Sequence, residues 1–360
     1  MNILHLDEQT GWRGGEQQAS WLLRGSLEAG HNVWLAARPH SAFIRHDHGG
    51  AAVTRFPIAL RSEVDLLSAY RLSGLVRRAG IDILHAHTSH AHTIACLAAR
   101  WARRGKVVVS RRVSFRPKPH RLNRIKYAMP DMFIAVSHKV DETLADFGIP
   151  ASRRRVVHSA VDLTRLDVPP LPRETVGVPA AAPLLVSAGA LVPHKDHANL
   201  LAALPLVREA FPAVRLLIAG EGPLRKELDE QIHALNLGNA VILLGHRDDV
   251  PGLIRTADCY VSSSWSEGLG TSILEALACR TPVVACRAGG ADEMVLPGKT
   301  GRLVPVRDAK ALAAAIIAAL SDQQGARTMA EAGRAHVEAE FGVGRMVSGT
   351  TAIYEELLGG

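Results

Sequence analysis

Twice along this 360-residue chain, apolar runs of strand length alternate with segments of helix length, and a proline-dense break separates the two series. In the first series the strand candidates are NILHL, NVWLAA, AAVTRF, IDILHAH, KVVVS, DMFIAVS and RRVVHSAV. Amphipathic stretches such as EQQASWLLRGSLEAG and LLSAYRLSGLVRRAG lie between most of them, each ending in a glycine suited to closing a helix. Strands that alternate with helices imply a parallel sheet covered on both faces. The second series runs LLVSAG, VRLLIAGEG, AVILLGH, DCYVSSS, PVVAC and TGRLVPV, with HANLLAALPLVREAF and PLRKELDEQIHALN as helices and Ala-rich helices from Ala309 onward. A chain of this length exceeds one ordinary core. The expectation is therefore an α/β protein of two doubly wound, Rossmann-like domains, residues 1–162 and 184–342. The break at 163–183 is expected to be their linker, and 343–360 a C-terminal helix packing back on the first domain. Ligands of such sheets bind at the carboxyl ends of the strands, and both sets of strand ends are expected to face one cleft.

Charge divides the chain. Residues 1–162 hold 24 Lys+Arg against 13 Asp+Glu, whereas the rest holds 18 against 22. A basic half suits an anionic partner such as a phosphorylated substrate or an anionic membrane surface; an ordinary solvated basic surface is the plainer reading. The segment Ser110–Lys126, SRRVSFRPKPHRLNRIK, concentrates it, with Arg111, Arg112, Arg116 and Lys118 at its start. It suits acceptor phosphates or anionic lipid, or is a plain surface loop. Its low aromatic content argues against nucleic acid. No apolar run spans a bilayer, and MNILHLDEQT reads as a first strand, not a secretory signal, so a cytoplasmic chain is expected. The four cysteines lack metal or redox spacing and read as buried thiols.

Chemistry is concentrated in a few strand-end loops. Gly14 and Gly15, between the first strand and helix, let backbone N–H groups approach an anion or sugar, or simply make a tight turn. His85 and His87 share one strand face, with His90 and His92 following. No carboxylate or cysteine completes a metal set. A hydrogen-bonding or polarising His87 at the strand end is preferred, with a satisfied structural histidine as the alternative. In the second series Lys195 sits in a loop after a strand, able to neutralise a diphosphate, and Gly220-Glu221-Gly222-Pro223 reads as a tight turn with Pro223 opening a helix. The stretch SSSWSEGLGTSILEALACRTPVVAC places Glu267 in a glycine turn and Glu275 about two turns into the helix that follows, too far apart on the helix to be a juxtaposed acid–base pair. The N–H groups around Gly268–Ser272 form the positive end of that helix, where a diphosphate fits, and a carboxylate accepts well from vicinal hydroxyls; capping or solvated roles are the alternative.

Taken together, these residues resemble the family-four glycosyltransferases, retaining enzymes of the two-domain GT-B fold. The resemblance covers nearly the whole chain. Its most specific part is the E-x7-E motif, Glu267 to Glu275, supported by Gly14-Gly15, the His87 strand end, IAVSHKVDETLADFGIP, the Lys195 loop, IAGEGP and TGRLV. It implies an acceptor-binding first domain and a nucleotide-sugar-binding second domain. Glu275 would hold the ribose, Glu267 the donor sugar and Lys195 the diphosphate. Gly268, Leu269, Gly270, Thr271 and Ser272 would lie near sugar and diphosphate, and His87 near the reacting carbon. Arg111, Arg112, Arg116 and Lys118 would meet an anionic glycan or glycolipid acceptor. The implied reaction needs no cofactor beyond the nucleotide diphosphate-sugar donor, no metal and no nucleic acid. Domain closure would complete the site.

Two positions depart from the family pattern. Ala190 stands where an arginine is usual, so His194, Arg247 or an arginine of the first domain is expected to supply the second cation. At the domain junction Ser159-Ala160-Val161-Asp162 replaces a glycine-containing turn. Two other readings share the sequence: an acceptor-independent nucleotide-sugar epimerase or hydrolase of this fold, and a non-catalytic nucleotide-sugar-binding protein.

Overall fold

A computed structural model describes residues 1–50 and 52–359. Ala51, the first residue of the expected strand AAVTRF, and Gly360, the last of the expected C-terminal helix, lie outside the described residues. The chain divides into two compact units, Met1–Ala160 with Val343–Gly360, and Val161–Gly342.

The first unit holds seven strands: β1 (Asn2–Asp7), β2 (Asn32–Ala37), β3 (Thr54–Pro57), β4 (Ile83–Ala86), β5 (Lys106–Arg111), β6 (Met132–Ala135) and β7 (Arg154–Val156). They pair in the order β3-β2-β1-β4-β5-β6-β7, all parallel. The order reverses between β1 and β4, the place where doubly wound sheets open a ligand crevice. Burial on both faces explains the near-continuous apolar strands; β4 and β6 are buried at every position. The helix Val343–Gly359 returns to this unit and packs on the helix Gly14–Glu28. Its Ile353 and Tyr354 are buried against Ile3, Ile83 and Val108. Burial of each such side chain is worth about 1.5–3 kcal/mol, enough to hold the helix there.

The second unit holds β8 (Leu184–Ala188), β9 (Arg215–Ala219), β10 (Val241–Gly245), β11 (Cys259–Ser262), β12 (Val283–Cys286) and β13 (Arg302–Val304). These pair in the order β10-β9-β8-β11-β12-β13, again all parallel, with the reversal between β8 and β11. Leu200, Leu204, Leu312 and Ile316 from flanking helices close over Leu185, Leu216, Ile218 and Val261 of this sheet.

The proline-dense stretch 163–183 is ordered and groups with the second unit. Arg173 donates to both carboxylate oxygens of Asp258, at 3.0 and 2.9 Å, and Thr256 Oγ1 accepts from the Leu171 N–H at 2.7 Å. Val176 and Val178, within the stretch, are buried. Two local expectations shift. The helix after the GEGP turn begins at Arg225, so Pro223 belongs to the preceding turn. The helix after Gly270 begins at Thr271, so Glu275 is its fifth residue, just over one turn in.

Candidate active site

At the switch point of the second unit two loops leave neighbouring strands, Gly189–Asp196 from β8 and Ser263–Gly270 from β11. Side-chain and backbone bonds stitch them together. Ser263 Oγ donates to the Lys195 carbonyl at 3.0 Å, the Trp265 N–H to the His194 carbonyl at 3.0 Å and Trp265 Nε1 to the Pro193 carbonyl at 2.9 Å. The guanidinium of Arg307 lies over the Trp265 ring, 4.6 Å from its centroid. Across this seam Lys195 Nζ donates to Glu267 Oε1 at 2.5 Å, and Ser264 Oγ donates to the same oxygen at 2.7 Å. Their side chains are only 18% and 11% exposed, so water screens the pair weakly.

Close backbone approach explains the glycines that frame this pair. A Cβ on Gly289, after β12, would stand 2.0 Å from the Glu267 carbonyl oxygen, so only glycine lets the Glu267 turn settle there. A Cβ on Gly220 would stand 1.9 Å from the Gly189 carbonyl oxygen, and the Leu191 N–H donates to the Glu221 carbonyl at 3.0 Å. The GEGP turn is thus the bed on which the Lys195 loop lies. From Gly270 the chain enters the helix Thr271–Ala278, whose first-turn N–H groups open beside Glu267. Glu275 is half-buried on this helix. Burial pushes its carboxyl up to about 7, against the opposing pull of Arg165 and Lys195.

At the switch point of the first unit, the polar groups are buried. His5 on β1 stands opposite His85 on β4, with His87 on the same face just past the strand end. His5 Nδ1 and His87 Nε2 are hydrogen-bonded at 2.9 Å; the two nitrogens of His85 meet Tyr354 Oη at 2.5 Å and Ser110 Oγ at 2.8 Å. The three imidazoles bring a ring nitrogen each within 4.8 Å of the others, but these bonds already engage them in pairs. Burial holds His87 well below the usual histidine range, helped by His85, His5 and Arg112. Arg112 Nη2 lies 3.5 Å from His87 Nδ1. A guanidinium only donates, so His87 accepts at Nδ1 and carries its proton on Nε2, donated to His5; the His5 proton then falls on Nε2, which is buried without a partner.

Asp7, at the end of β1, is buried, and its Oδ2 has no partner. Burial, then the neighbouring Glu16, pushes its carboxyl up to about 8. Glu16 Oε2 accepts from the Arg13 N–H at 2.7 Å, closing the first turn of the helix that Gly14 and Gly15 open. Beside this cluster lies a cavity of 630 Å³, lined among others by Gly15, His87, Arg111, Arg112, Arg116 and Lys118.

A profile for group 1 glycosyl transferases matches residues 173–336, and one for Glycosyltransferase Family 4 matches residues 12–165. The chain belongs to the family-four glycosyltransferases. Its two Rossmann-like units are those of the GT-B fold. HepE of Anabaena, solved in complex with UDP and glucose, superposes with a TM-score of 0.86 over 99% of this chain and 100% of its own, at 23% identity. The N-acetyl-alpha-D-glucosaminyl L-malate synthase of Bacillus anthracis is 26% identical over 85% of this chain and 83% of its own length. The lipopolysaccharide core biosynthesis glycosyltransferase LpsE of Rhizobium meliloti is 27% identical over 91% and 92%.

Within this glycosyltransferase Lys195 pairs with Glu267, which opens the turn leading into the helix Thr271–Ala278. Arg247 pairs with Asp249, which accepts from it twice, at 2.7 and 2.5 Å. Among the acceptor candidates, Arg111 donates to Tyr127 Oη at 2.6 Å and Arg116 to Asp146 at 2.5 Å. Ala190 is exposed, and the cation over Trp265 is Arg307, which pattern reading passed over because it follows β13, far along the chain. Local pattern does not single out Asp7, His5 or Tyr354 either. Asp7 and Glu8 at the end of the first apolar strand were the available signal; nothing local marks Tyr354.

Proposed function

We propose that this glycosyltransferase moves a hexose from a nucleotide diphosphate-sugar to a hydroxyl of an envelope glycan or lipid-linked sugar, retains the anomeric configuration and needs no metal. The observation that carries the reading is the Lys195–Glu267 pair beside the helix mouth at the switch point of the second unit. A cation, a carboxylate and first-turn N–H groups sit together there, matching the phosphates and hydroxyls of such a donor. Lys195 and the backbone of Gly268, Leu269, Gly270, Thr271 and Ser272 take the diphosphate and the sugar's near edge. Glu267 accepts from the sugar hydroxyls and Glu275 from the ribose. Without donor, Lys195 and Glu267 satisfy each other, so binding replaces one ion pair with two ligand contacts.

His87, kept neutral by burial, accepts at Nδ1 from a donor-sugar hydroxyl near the reacting carbon, in exchange for its long 3.5 Å contact with Arg112. The acceptor oxygen attacks the anomeric carbon on the face that the diphosphate leaves. The carbon–oxygen bond to phosphate breaks, its electron pair stays on the diphosphate, and a donor phosphate oxygen takes the acceptor proton. Lys195 and the helix mouth stabilise the charge that develops, a contribution of the size usually found for single oxyanion donors, about 3–4 kcal/mol. Arg111, Arg112, Arg116 and Lys118 line a cavity suited to an anionic acceptor. HepE's complex with UDP and glucose supports the donor class, and LpsE's part in lipopolysaccharide core biosynthesis supports the acceptor class. Among the described residues no helix is long and apolar enough to cross a membrane, and peripheral attachment at the inner face of the cell membrane belongs to the same reading.

The test follows donor consumption with UDP-, GDP- and ADP-sugars, after a thermal-shift screen, with and without acceptor glycans. Acceptor-dependent release of nucleoside diphosphate is expected. Equal turnover without acceptor would replace transfer with hydrolysis or epimerisation, and tight binding without turnover would leave a binding protein.

A further inference from the structure

Eleven large apolar side chains are exposed among the described residues, and eight of them lie between Val64 and Ile125. Phe115 lines the cavity given above to the acceptor, and the other seven lie outside that lining. Leu66, Leu67, Tyr70 and Trp101 line one shallow depression of 470 Å³. Val64 is 75% exposed and Leu67 69%, so neither builds the core. The helix Leu66–Arg78 packs along the helix Ser89–Ala102. Lys126, on the helix Arg121–Ala128, reaches towards both through Glu63 at 2.5 Å and Ser89 at 2.8 Å. Lys126 is itself buried, so it ties the third helix to the other two from beneath, and Ile125 lines a neighbouring depression with Arg100 and Arg103 of the second helix's end.

On the third helix Leu122 and Ile125 are three residues apart and share a stripe, with the exposed Arg121 and Arg124 beside it. The charge over this whole region is one-sided. From Arg61 to Ala128 the sequence holds 15 Lys+Arg and 3 Asp+Glu. All three acids are engaged within the unit: Glu63 by Lys126, Asp65 as the cap that accepts from the Ser68 N–H, and Asp82 by Arg104. The contiguous exposed cluster of Leu66, Leu67, Tyr70 and Trp101 marks an interaction surface, and its basic surround selects the partner. Leucine, isoleucine and tyrosine side chains enter the boundary between headgroups and acyl chains, while arginines meet lipid phosphates.

We infer that this surface, from Val64 to Trp101 and along Leu122 and Ile125, docks the chain on an anionic lipid bilayer. The inference rests on the peripheral-attachment reading above and adds the site of attachment. It is tested by sedimentation with phosphatidylcholine vesicles, with and without phosphatidylglycerol, at low and high salt. The full chain is expected to sediment with the anionic vesicles at low salt and to stay in solution with phosphatidylcholine alone. Leu67→Ser/Leu122→Ser/Ile125→Ser is expected to weaken binding at least about tenfold through lost insertion. Arg121→Gln/Arg124→Gln should weaken it by about tenfold through lost headgroup attraction. Both variants are expected to keep the parent's melting temperature and donor thermal shift, because the altered side chains are exposed. If the parent ignores anionic vesicles at low salt, peripheral attachment fails while the donor reading stands. If the parent binds and both variants bind equally well, attachment occurs elsewhere and this surface is ruled out. Weakening in only one of the two variants also overturns the proposal, since insertion and headgroup attraction are both required.

Discussion

The two units share a sheet topology and a switch point, yet they treat the polar groups at that point in opposite ways. In the second unit Lys195 and Glu267 stand partly open to water, paired with each other at 2.5 Å on loops that glycines bring close together. In the first unit Asp7, His5, His85 and His87 are buried, and their ionisation is set by desolvation more than by pairing. An ion pair on stitched loops can be exchanged for a charged ligand at modest cost. A buried neutral imidazole can orient a ligand but is poorly placed to take up a proton.

The comparison is broken most sharply at Lys195. Lys195→Met is expected to lower kcat/KM about a thousandfold, roughly 4 kcal/mol, because the leaving diphosphate loses its cation. Activity within tenfold of the parent would show that the helix mouth, or Arg307, carries the charge. Glu275→Gln comes next, with donor affinity expected to fall about 10- to 100-fold by calorimetry. The pH dependence sharpens this. The Glu275 carboxyl is pushed up to about 7, and in the proposed donor complex ribose hydroxyls donate to its ionised form. Affinity of the parent should therefore rise as pH increases through about 7, and the variant should be flat.

Asp7→Asn tests the other unit. Folded Asp7 keeps its proton up to about pH 8, whereas an ordinary aspartate loses it near 3.8. Between those values the folded state holds the extra proton, so this group's stabilisation is full below about pH 4 and is lost as pH rises towards 8. The slope is at most about 1.4 kcal/mol per pH unit, and denaturant melts of Asp7→Asn across that range should lack it. The smallest expected effect is at Ala190. Ala190→Arg, on an exposed loop position, should tighten donor binding by up to about tenfold and change stability by less than about 0.5 kcal/mol. No gain would mean that Arg307 or another cation already completes the clamp.

Much of this was readable along the chain. Strand–helix alternation announces two parallel sheets because both faces must be covered, and a glycine turn followed by a helix with Glu267 and Glu275 marks where the proposed donor site lies. These are local patterns, written in residues close in sequence. The proline-dense stretch 163–183 reads as a linker because composition shows where periodicity breaks and not which partners a segment finds; Arg173 finds Asp258 85 residues away. His85 looked like a pair with His87, but its own bonds run to Ser110 and to Tyr354, 269 residues on.

The chain's alternating pattern and its short motifs thus determine which elements form and which loops carry charge, since periodicity and turn chemistry act over a few residues. Packing decides the rest. It sets which carboxyls and imidazoles lose water, and so their charge; it pairs Arg247 with Asp249 and puts Arg307 over Trp265. It also leaves Leu67, Leu122 and Ile125 outside the core. Desolvation and exposure depend on what the folded chain places around a group, and no local stretch of residues contains that information.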